Sequence, residues 1–268
     1  MGFLIFIRSD KRMRRIVVLF LLFLSLRSFG EKTESIPPGA KKLMQCYPGF
    51  VTGFSDNHLI LKDGSKILWD NGIKNKPFRT LLEKPDLKDM FTQTYTTGTP
   101  KTPPAKDFDP GRIRDESFFM KMYGSTEKEV RKNLTEITWC PKLVGQKITV
   151  TKVNGVDKKL MEISKELDGH PELKKYLTHI GGTFTWRNIS GTNRPSMHSF
   201  GMTIDINTKY SDYWQWACKC TNEDAVIEYK NRIPQIIVDI FEKHGFIWGG
   251  KWYHYDTMHF EYRPELLN

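Results

Sequence analysis

Hydrophobic residues near the amino end come in short runs separated by turn residues, which indicates β-structure. Residues 58–62 and 66–69 form two such runs around Asp63-Gly64, a pair that favours a tight hairpin turn. Residues 96–111 contain four prolines and two glycines, so we expect an extended loop there. The pattern therefore predicts a small β-rich region over residues 43–115.

From about residue 117 the hydrophobic spacing changes to three and four residues, which is typical of helices. One predicted helix face carries Val130, Leu134 and Ile137, and another carries Val156, Leu160, Ile163 and Leu167. Residues 234–244 should form a further helix, because Pro234 suits a first turn and Gly245 follows the last one. Helices are thus expected to dominate the middle of the chain.

Strand patterns return near the carboxyl end, at residues 183–187, 202–206, 246–248 and 259–262. Runs of helices and runs of strands in separate parts of the chain favour an α+β fold. We expect a small antiparallel sheet with helices packed on one face, spanning residues 116–268. The β-rich amino-terminal region would precede it.

The amino end resembles a secretory signal peptide. A basic block lies before a short apolar run at residues 16–26, and small residues at Ser28 and Gly30 suit cleavage after Gly30. The run is short for a membrane span, so no stable span is expected after cleavage. An uncleaved anchor is the alternative. We assign residues 1–30 to the signal peptide and the polar residues 31–42 to a linker.

Signal cleavage changes the charge balance. The full chain has 41 Lys and Arg against 31 Asp and Glu, a net charge of +10. Without residues 1–30 the counts become 35 and 30, a net charge of +5, and no basic run remains. Nucleic-acid binding therefore loses its main support. The oligomeric state is left open by the sequence.

The four cysteines all follow the predicted cleavage site. A secreted protein meets oxidising conditions, which favours disulfides among Cys46, Cys140, Cys218 and Cys220. Three pairings are possible. Cys218 and Cys220 are so closely spaced that we do not expect a ring between them.

Two imidazoles and a carboxylate in the last third suit one zinc ion: His198, Asp205 and His259. Three protein ligands leave a fourth position for water, as in catalytic zinc sites. His198 and Asp205 are seven residues apart, so they converge only if the chain bends between them, and Gly201 allows that bend.

Asp256 lies three residues before His259 and is the candidate general base for a water activated by zinc. A fourth ligand or a helix cap are its alternatives. Glu261 would either hold a ligand imidazole from behind or face solvent.

Substrate contacts are predicted just before the first ligand. Arg187, at the end of a predicted strand, is the candidate partner for a substrate carboxylate, and Arg194 is the weaker candidate. The same arginine would stabilise an oxyanion formed during attack. Ser196 would either hydrogen-bond substrate or cap the turn before His198.

Three motif pieces resemble the zinc D,D-carboxypeptidases, dipeptidases and L-alanyl-D-glutamate endopeptidases that cleave peptidoglycan peptides. They are Ser-x-His-x6-Asp at residues 196–205, Trp-Gly-Gly-x-Trp at 248–252 and Asp-x-x-His-Phe-Glu at 256–261. Residues 47–50, 62–64 and 109–114 also resemble the amino-terminal part of uncharacterised bacterial members.

By this resemblance His198, Asp205 and His259 bind zinc, Asp256 is the catalytic acid and base, and Arg187 binds substrate. The implied fold is the small α+β domain shared with hedgehog proteins. The implied function is a secreted hydrolase of peptidoglycan stem peptides in a bacterial periplasm or cell envelope. The bond that is cut stays open between the terminal D-alanine and the L-alanyl-D-glutamate positions. A zinc-stabilised binding module without turnover is the alternative, since hedgehog domains retain the fold and metal while serving as ligands.

Overall fold

The computed structural model describes residues 35–267. The predicted signal peptide and the start of the predicted linker lie outside these residues. The described residues from Ile36 onward belong to one compact unit. In the described part of the chain, no helix is both long and apolar enough to cross a membrane.

The helices of the described chain are α1 (Pro38–Cys46), α2 (Phe78–Glu83), α3 (Glu116–Tyr123), α4 (Glu127–Arg131), α5 (Val156–Leu167), α6 (Lys174–Leu177), α7 (Trp214–Cys218) and α8 (Gln235–Lys243). The strands are β1 (Val51–Ser55), β2 (His58–Leu61), β3 (Lys66–Leu68), β4 (Leu134–Trp139), β5 (Gln146–Thr151), β6 (Ile180–Gly182), β7 (Thr203–Asn207), β8 (Phe246–Trp248) and β9 (His259–Tyr262). They form three antiparallel sheets, in the orders β1-β2-β3, β4-β5 and β6-β7-β9-β8. The predicted α+β class is confirmed.

The predicted hairpin is the β2-β3 pair. Gly64 takes a φ of +81°, a backbone angle that glycine adopts without strain. The Asp63 carboxylate accepts from the Ser65 amide at 2.9 Å, a contact typical of aspartate in turns. Residues 96–111 form the expected loop. Residues 38–42, which we expected in a linker, instead begin α1, because Ala40 and Leu43 are fully buried against the core.

Two of the predicted elements are wrong. Residues 130–137 do not continue one helix: α4 ends at Arg131 and β4 begins at Leu134. Ile137 and Trp139 are buried on alternate positions of β4, so a period of two decides this stretch. The strand that we predicted at residues 183–187 lies earlier, at β6, and ends in two glycines.

The other carboxyl-terminal elements match the sequence. In α5 the four predicted face residues, Val156, Leu160, Ile163 and Leu167, are all fully buried. Helix α8 begins after Pro234 and packs on the four-stranded sheet, where Phe241 stacks on Phe260 with ring centroids 3.9 Å apart. The opposite side of β9 carries His259 and Glu261, because side chains alternate along a strand. The helix-covered core thus leaves one sheet face for polar groups.

The cysteine expectation is corrected. Cys218 and Cys220 form a disulfide at the end of α7, in spite of their separation of two residues. The intervening Lys219 has a φ of +52°, which turns the chain back on itself. Cys46 and Cys140 are free thiols, the first partly and the second fully buried. Burial raises the pKa of Cys140 to about 12, so it remains a protonated thiol.

Candidate active site

The three predicted ligands converge on one point. His198 Nε2 lies 3.1 Å from one Asp205 carboxylate oxygen, and His259 Nδ1 lies 2.9 Å from the other. One donor atom from each of these residues lies within 4.8 Å of the others. The donors therefore face a common centre, as ligands of a single ion must.

Sheet register and one bend bring these groups together. Asp205 on β7 is directly opposite His259 on β9, so both side chains leave the same face of the sheet. His198 lies in a 3-10 turn, Met197–Phe200, that ends at Gly201 with a φ of +66°. A Cβ at position 201 would lie 2.9 Å from Leu134, so neither the angle nor the space favours a larger residue. The predicted bend at glycine is confirmed.

Each imidazole is oriented by a contact on its far side. His198 Nδ1 lies 2.8 Å from the Thr183 carbonyl oxygen, to which it donates, and this leaves Nε2 as the free donor atom. His259 is reversed: Nε2 lies 3.3 Å from the Glu261 carboxylate, and Nδ1 faces Asp205. These contacts fix the tautomer that a metal ligand requires. From the sequence, Glu261 could either hold a ligand imidazole or face solvent. In the structure it is fully buried behind His259.

One carboxylate oxygen of Asp256 has no hydrogen-bond partner among the described residues. The residue is only partly buried, but its Oδ1 is shielded from solvent and has no hydrogen-bond partner in the structure. Burial, followed by the negative charge of Asp205, raises the pKa of Asp256 to about 7. A cation in the cavity would favour the ionised form. Such a carboxyl group is suited to exchange a proton near neutral pH.

The pKa values of Asp205 and His259 reflect the pairing of imidazole and carboxylate groups at the site. Burial alone would raise the pKa of Asp205, but the two imidazoles outweigh it and hold that pKa well below its usual range. Burial alone would lower the pKa of His259, whereas its hydrogen bonds to Asp205 and Glu261 raise it to about 10. The metal-free site thus holds protons that a cation would displace.

All six predicted site residues line one cavity of about 180 Å³: Arg187, Ser196, His198, Asp205, Asp256 and His259. Arg187 is exposed and donates only a weak 3.4 Å contact to the Asn188 carbonyl. It does not end a strand; the Ser199 hydroxyl accepts from the Arg187 amide at 3.0 Å and donates to the Arg187 carbonyl at 2.8 Å. The Ser196 hydroxyl caps the turn by accepting from the His198 amide at 3.4 Å.

Arg194 is less available than Arg187. Its guanidinium donates to the Leu82 carbonyl at 2.7 Å and lies 3.8 Å from Glu116, although its Nε is buried without a partner. Burial, with the charge of Arg114, lowers the pKa of Arg194. A wider cleft of about 860 Å³ adjoins this side of the cavity and shares Arg194, Gln215 and Glu223 with it.

A second group of metal-type side chains lies nearby, formed by Asp109, Glu223 and His254. Arg112 bonds Asp109 at 2.6 Å and Glu223 at 2.8 Å, while His254 donates to Asp109 at 2.6 Å. A guanidinium already occupies the position between the carboxylates. The group is therefore an ion-pair cluster, and His254 is a buried part of it.

Comparison with known families agrees with this geometry. Residues 190–262 match the family model described as D-alanyl-D-alanine carboxypeptidase. Through this segment the chain is similar to that family. The match includes all three motif pieces and indicates a metallopeptidase-like hydrolase. No curated protein and no solved structure matches the chain significantly.

The sequence missed the groups behind Glu261. Arg114 and Arg263 both bond this carboxylate, at 2.6 and 2.8 Å. Arg114 ends the Asp-Pro-Gly-Arg-Ile-Arg motif at residues 109–114, so a signal was present. The sequence did not reveal that Arg114 bonds Glu261, because the two residues are 147 positions apart.

Proposed function

We propose that this protein is a secreted zinc metallopeptidase that hydrolyses peptidoglycan stem peptides. The observation that carries the proposal is the convergence of His198, Asp205 and His259 beside an unpartnered carboxylate oxygen of Asp256. The family match over residues 190–262 supports a peptidase with this substrate class. The proposed secretion depends on the signal-peptide pattern at residues 1–30.

The donor set fits zinc. Two imidazole nitrogens and one carboxylate oxygen are zinc ligands, and three protein ligands leave the open position of a catalytic site. The far-side contacts to Thr183 and Glu261 leave one nitrogen of each ring available. Bound there, zinc would polarise the scissile carbonyl and make a water molecule more acidic.

Asp256 would move the protons. As a carboxylate it accepts the proton of the attacking water and then donates it to the leaving amine. Its Oδ1 has no competing hydrogen bond, so the oxygen is free to make this contact. A non-catalytic binding module would have no use for a shielded carboxylate oxygen without a partner at this point, because leaving it unpaired costs stability.

Arg187 would anchor the substrate. An exposed guanidinium on the cavity wall is able to form two parallel hydrogen bonds with a peptide carboxylate. It would also stabilise negative charge on the carbonyl oxygen during attack. Ser196 lines the same cavity and is proposed to contact the substrate with whatever hydrogen-bonding capacity its capping contact leaves.

A digest of purified peptidoglycan fragments tests the function. The zinc-loaded protein should release either terminal D-alanine or products cut between L-alanine and D-glutamate, and product masses distinguish the two bonds. The Asp256→Asn protein is the matched control, because it should bind zinc without cleaving. If neither product appears at any zinc concentration although zinc is bound, the binding-module alternative is favoured.

A further inference from the structure

The loop before α3 is attached to the carboxyl-terminal site by a series of contacts. Within residues 108–114, here called the 108–114 segment, successive groups bond residues 252–263. The acceptors are the backbone carbonyls of Phe108, Pro110 and Gly111 and the side chain of Asp109, and the donors are Tyr253, Trp252, Arg263 and His254. The distances lie between 2.7 and 3.0 Å. This segment is therefore part of the site's support although it lies outside the family match.

Arg114 ends this series with a two-pronged contact to Glu261. Its NH2 group donates to Glu261 Oε2 at 2.6 Å, and its Nε donates to Oε1 at 3.2 Å. Oε2 is also the oxygen that lies 3.3 Å from His259 Nε2. The same carboxylate oxygen thus joins the guanidinium to the ligand imidazole.

The two oxygens of Glu261 have different anchors. Oε1 is shared by Arg114 and Arg263, whereas Oε2 contacts Arg114 and His259. Without Arg114, Arg263 would still hold Oε1, but Oε2 would keep only the imidazole. The carboxylate would then be free to turn about its Oε1 contact, and the His259 ring would lose a fixed partner.

The network is buried and its charges are matched. Glu261, Arg263 and Glu265 are fully buried, and Arg114 is nearly so. Arg263 bonds Glu265, which accepts from the Tyr47 hydroxyl at 2.6 Å. Two guanidinium groups therefore face two carboxylates. Buried charges of this kind are costly unless paired, so the arrangement needs Arg114 for balance as well as for geometry.

We infer that Arg114 is a positioning residue for the proposed metal site: it fixes Glu261, and through Glu261 the orientation of His259. This inference depends on the proposed function, since it concerns affinity for the zinc ion. It gives the amino-terminal part of the chain a role in the chemistry that the family match does not include.

Zinc affinity of the metal-free protein, measured by competition with a chromogenic chelator in the absence of substrate, tests the inference. Loss of an outer partner of a ligand weakens metal binding about 10–100-fold, so Arg114→Met should raise the zinc Kd by at least about tenfold. The absorption spectrum of the Co²⁺-loaded protein should also change, because it reports ligand geometry. Because no substrate is present in this measurement, a direct contact between Arg114 and substrate cannot account for a change in zinc affinity.

Lys76→Met is the matched control. Lys76 is also a buried cation of the amino-terminal part and bonds two carboxylates, Asp86 and Asp89. Its loss should lower the unfolding temperature while the zinc Kd and the cobalt spectrum stay unchanged. An equal loss of zinc affinity in Lys76→Met and Arg114→Met would show a general stability effect and overturn the inference.

Arg114→Lys serves if the methionine variant does not fold. Lysine keeps the charge but cannot bond both carboxylate oxygens with one planar group, so a weaker loss of zinc affinity is expected. A double-mutant cycle with Glu261→Gln adds a second check: Arg114→Met should have little further effect when Glu261 is already replaced. Additive effects would contradict an action through Glu261.

The outcomes separate the two proposals. If the unaltered protein binds no zinc, the proposed function fails, and the inference fails with it. If the unaltered protein binds zinc and Arg114→Met binds it equally well, only the positioning role is overturned. Tight binding in the unaltered protein with at least a tenfold loss in Arg114→Met supports both.

Discussion

Asp205 and His259 are direct cross-strand neighbours, and a carboxylate oxygen of the first lies 2.9 Å from Nδ1 of the second. The two residues are 54 positions apart along the chain, and the pairing of β7 with β9 places them side by side. Because Thr203 is opposite Glu261 in the same register, the ligand and the group behind it lie on one face. The sheet register therefore decides which side chains belong to the site.

Replacement of Asp205 should abolish stable zinc binding. Asp205→Asn keeps the shape but removes the negative charge between the two imidazoles, so the site loses its only anionic ligand. Elemental analysis of the purified variant should find less than one zinc per chain. His244→Gln is the control, because the His244 side chain bonds Glu162 and Glu166 on α5 and its replacement should leave the zinc content unchanged.

Replacement of Asp256 should separate binding from catalysis. In Asp256→Asn the side chain can no longer accept and return a proton, and loss of such a group costs about 10²–10⁴-fold in rate. Zinc content should stay at the level of the unaltered protein. A variant that loses zinc together with activity would identify Asp256 as a fourth ligand instead.

Arg187→Ala should weaken the use of substrates that end in a free carboxylate. Charged hydrogen bonds contribute about 1.5–3 kcal/mol, which corresponds to roughly a 10–100-fold loss in kcat/KM. A matched peptide with an amidated carboxyl end should show a smaller loss, because only the contact of Arg187 with the oxyanion is removed there. Equal losses on both peptides would exclude carboxylate binding by Arg187.

The metal-free protein should become less stable as the pH rises above neutrality. His259 has a pKa raised to about 10 by Asp205 and Glu261, against its own burial. The stabilising contribution of its protonated form is full below the unfolded pKa of about 6.5 and is lost as the pH rises towards 10. Thermal unfolding between pH 6.5 and 10 should show this decline, and His259→Gln should reduce its slope.

Zinc should oppose that decline. The ion requires unprotonated imidazole, so its apparent affinity should increase over the same pH range while the protonated site loses stability. Unfolding temperatures measured with and without zinc should therefore diverge as the pH rises. A zinc effect that is constant with pH would contradict the assigned proton on His259.

Gly201→Ala should weaken both the fold and the metal site. Residue 201 has a left-handed φ, which costs a side chain about 1–2 kcal/mol, and the new Cβ would press on Leu134 at 2.9 Å. Since the turn carries His198, zinc affinity should fall as well. Gly64→Ala is the control: it has a similar φ but no atom within 4 Å, so stability alone should decrease.

Local pattern was sufficient for the elements with strong signals. The four-residue face of α5, the proline at the start of α8 and the Asp63-Gly64 turn each depend on interactions between near neighbours in sequence. Local pattern failed at residues 130–137, where spacings of three and four fit a helix face and the buried alternation of Ile137 and Trp139 became evident only through packing.

Residue types and spacing along the chain were enough to predict the candidate ligands, their order and the glycine that bends the chain between His198 and Asp205. Those are properties of residue chemistry and short-range geometry. The burial of Glu261 behind His259 and its bond to Arg114 became visible in the folded chain alone, because burial depends on packing and Arg114 lies 147 positions from Glu261 in sequence. Spacing along a chain does not encode such contacts; sheet register and burial create them when the core forms.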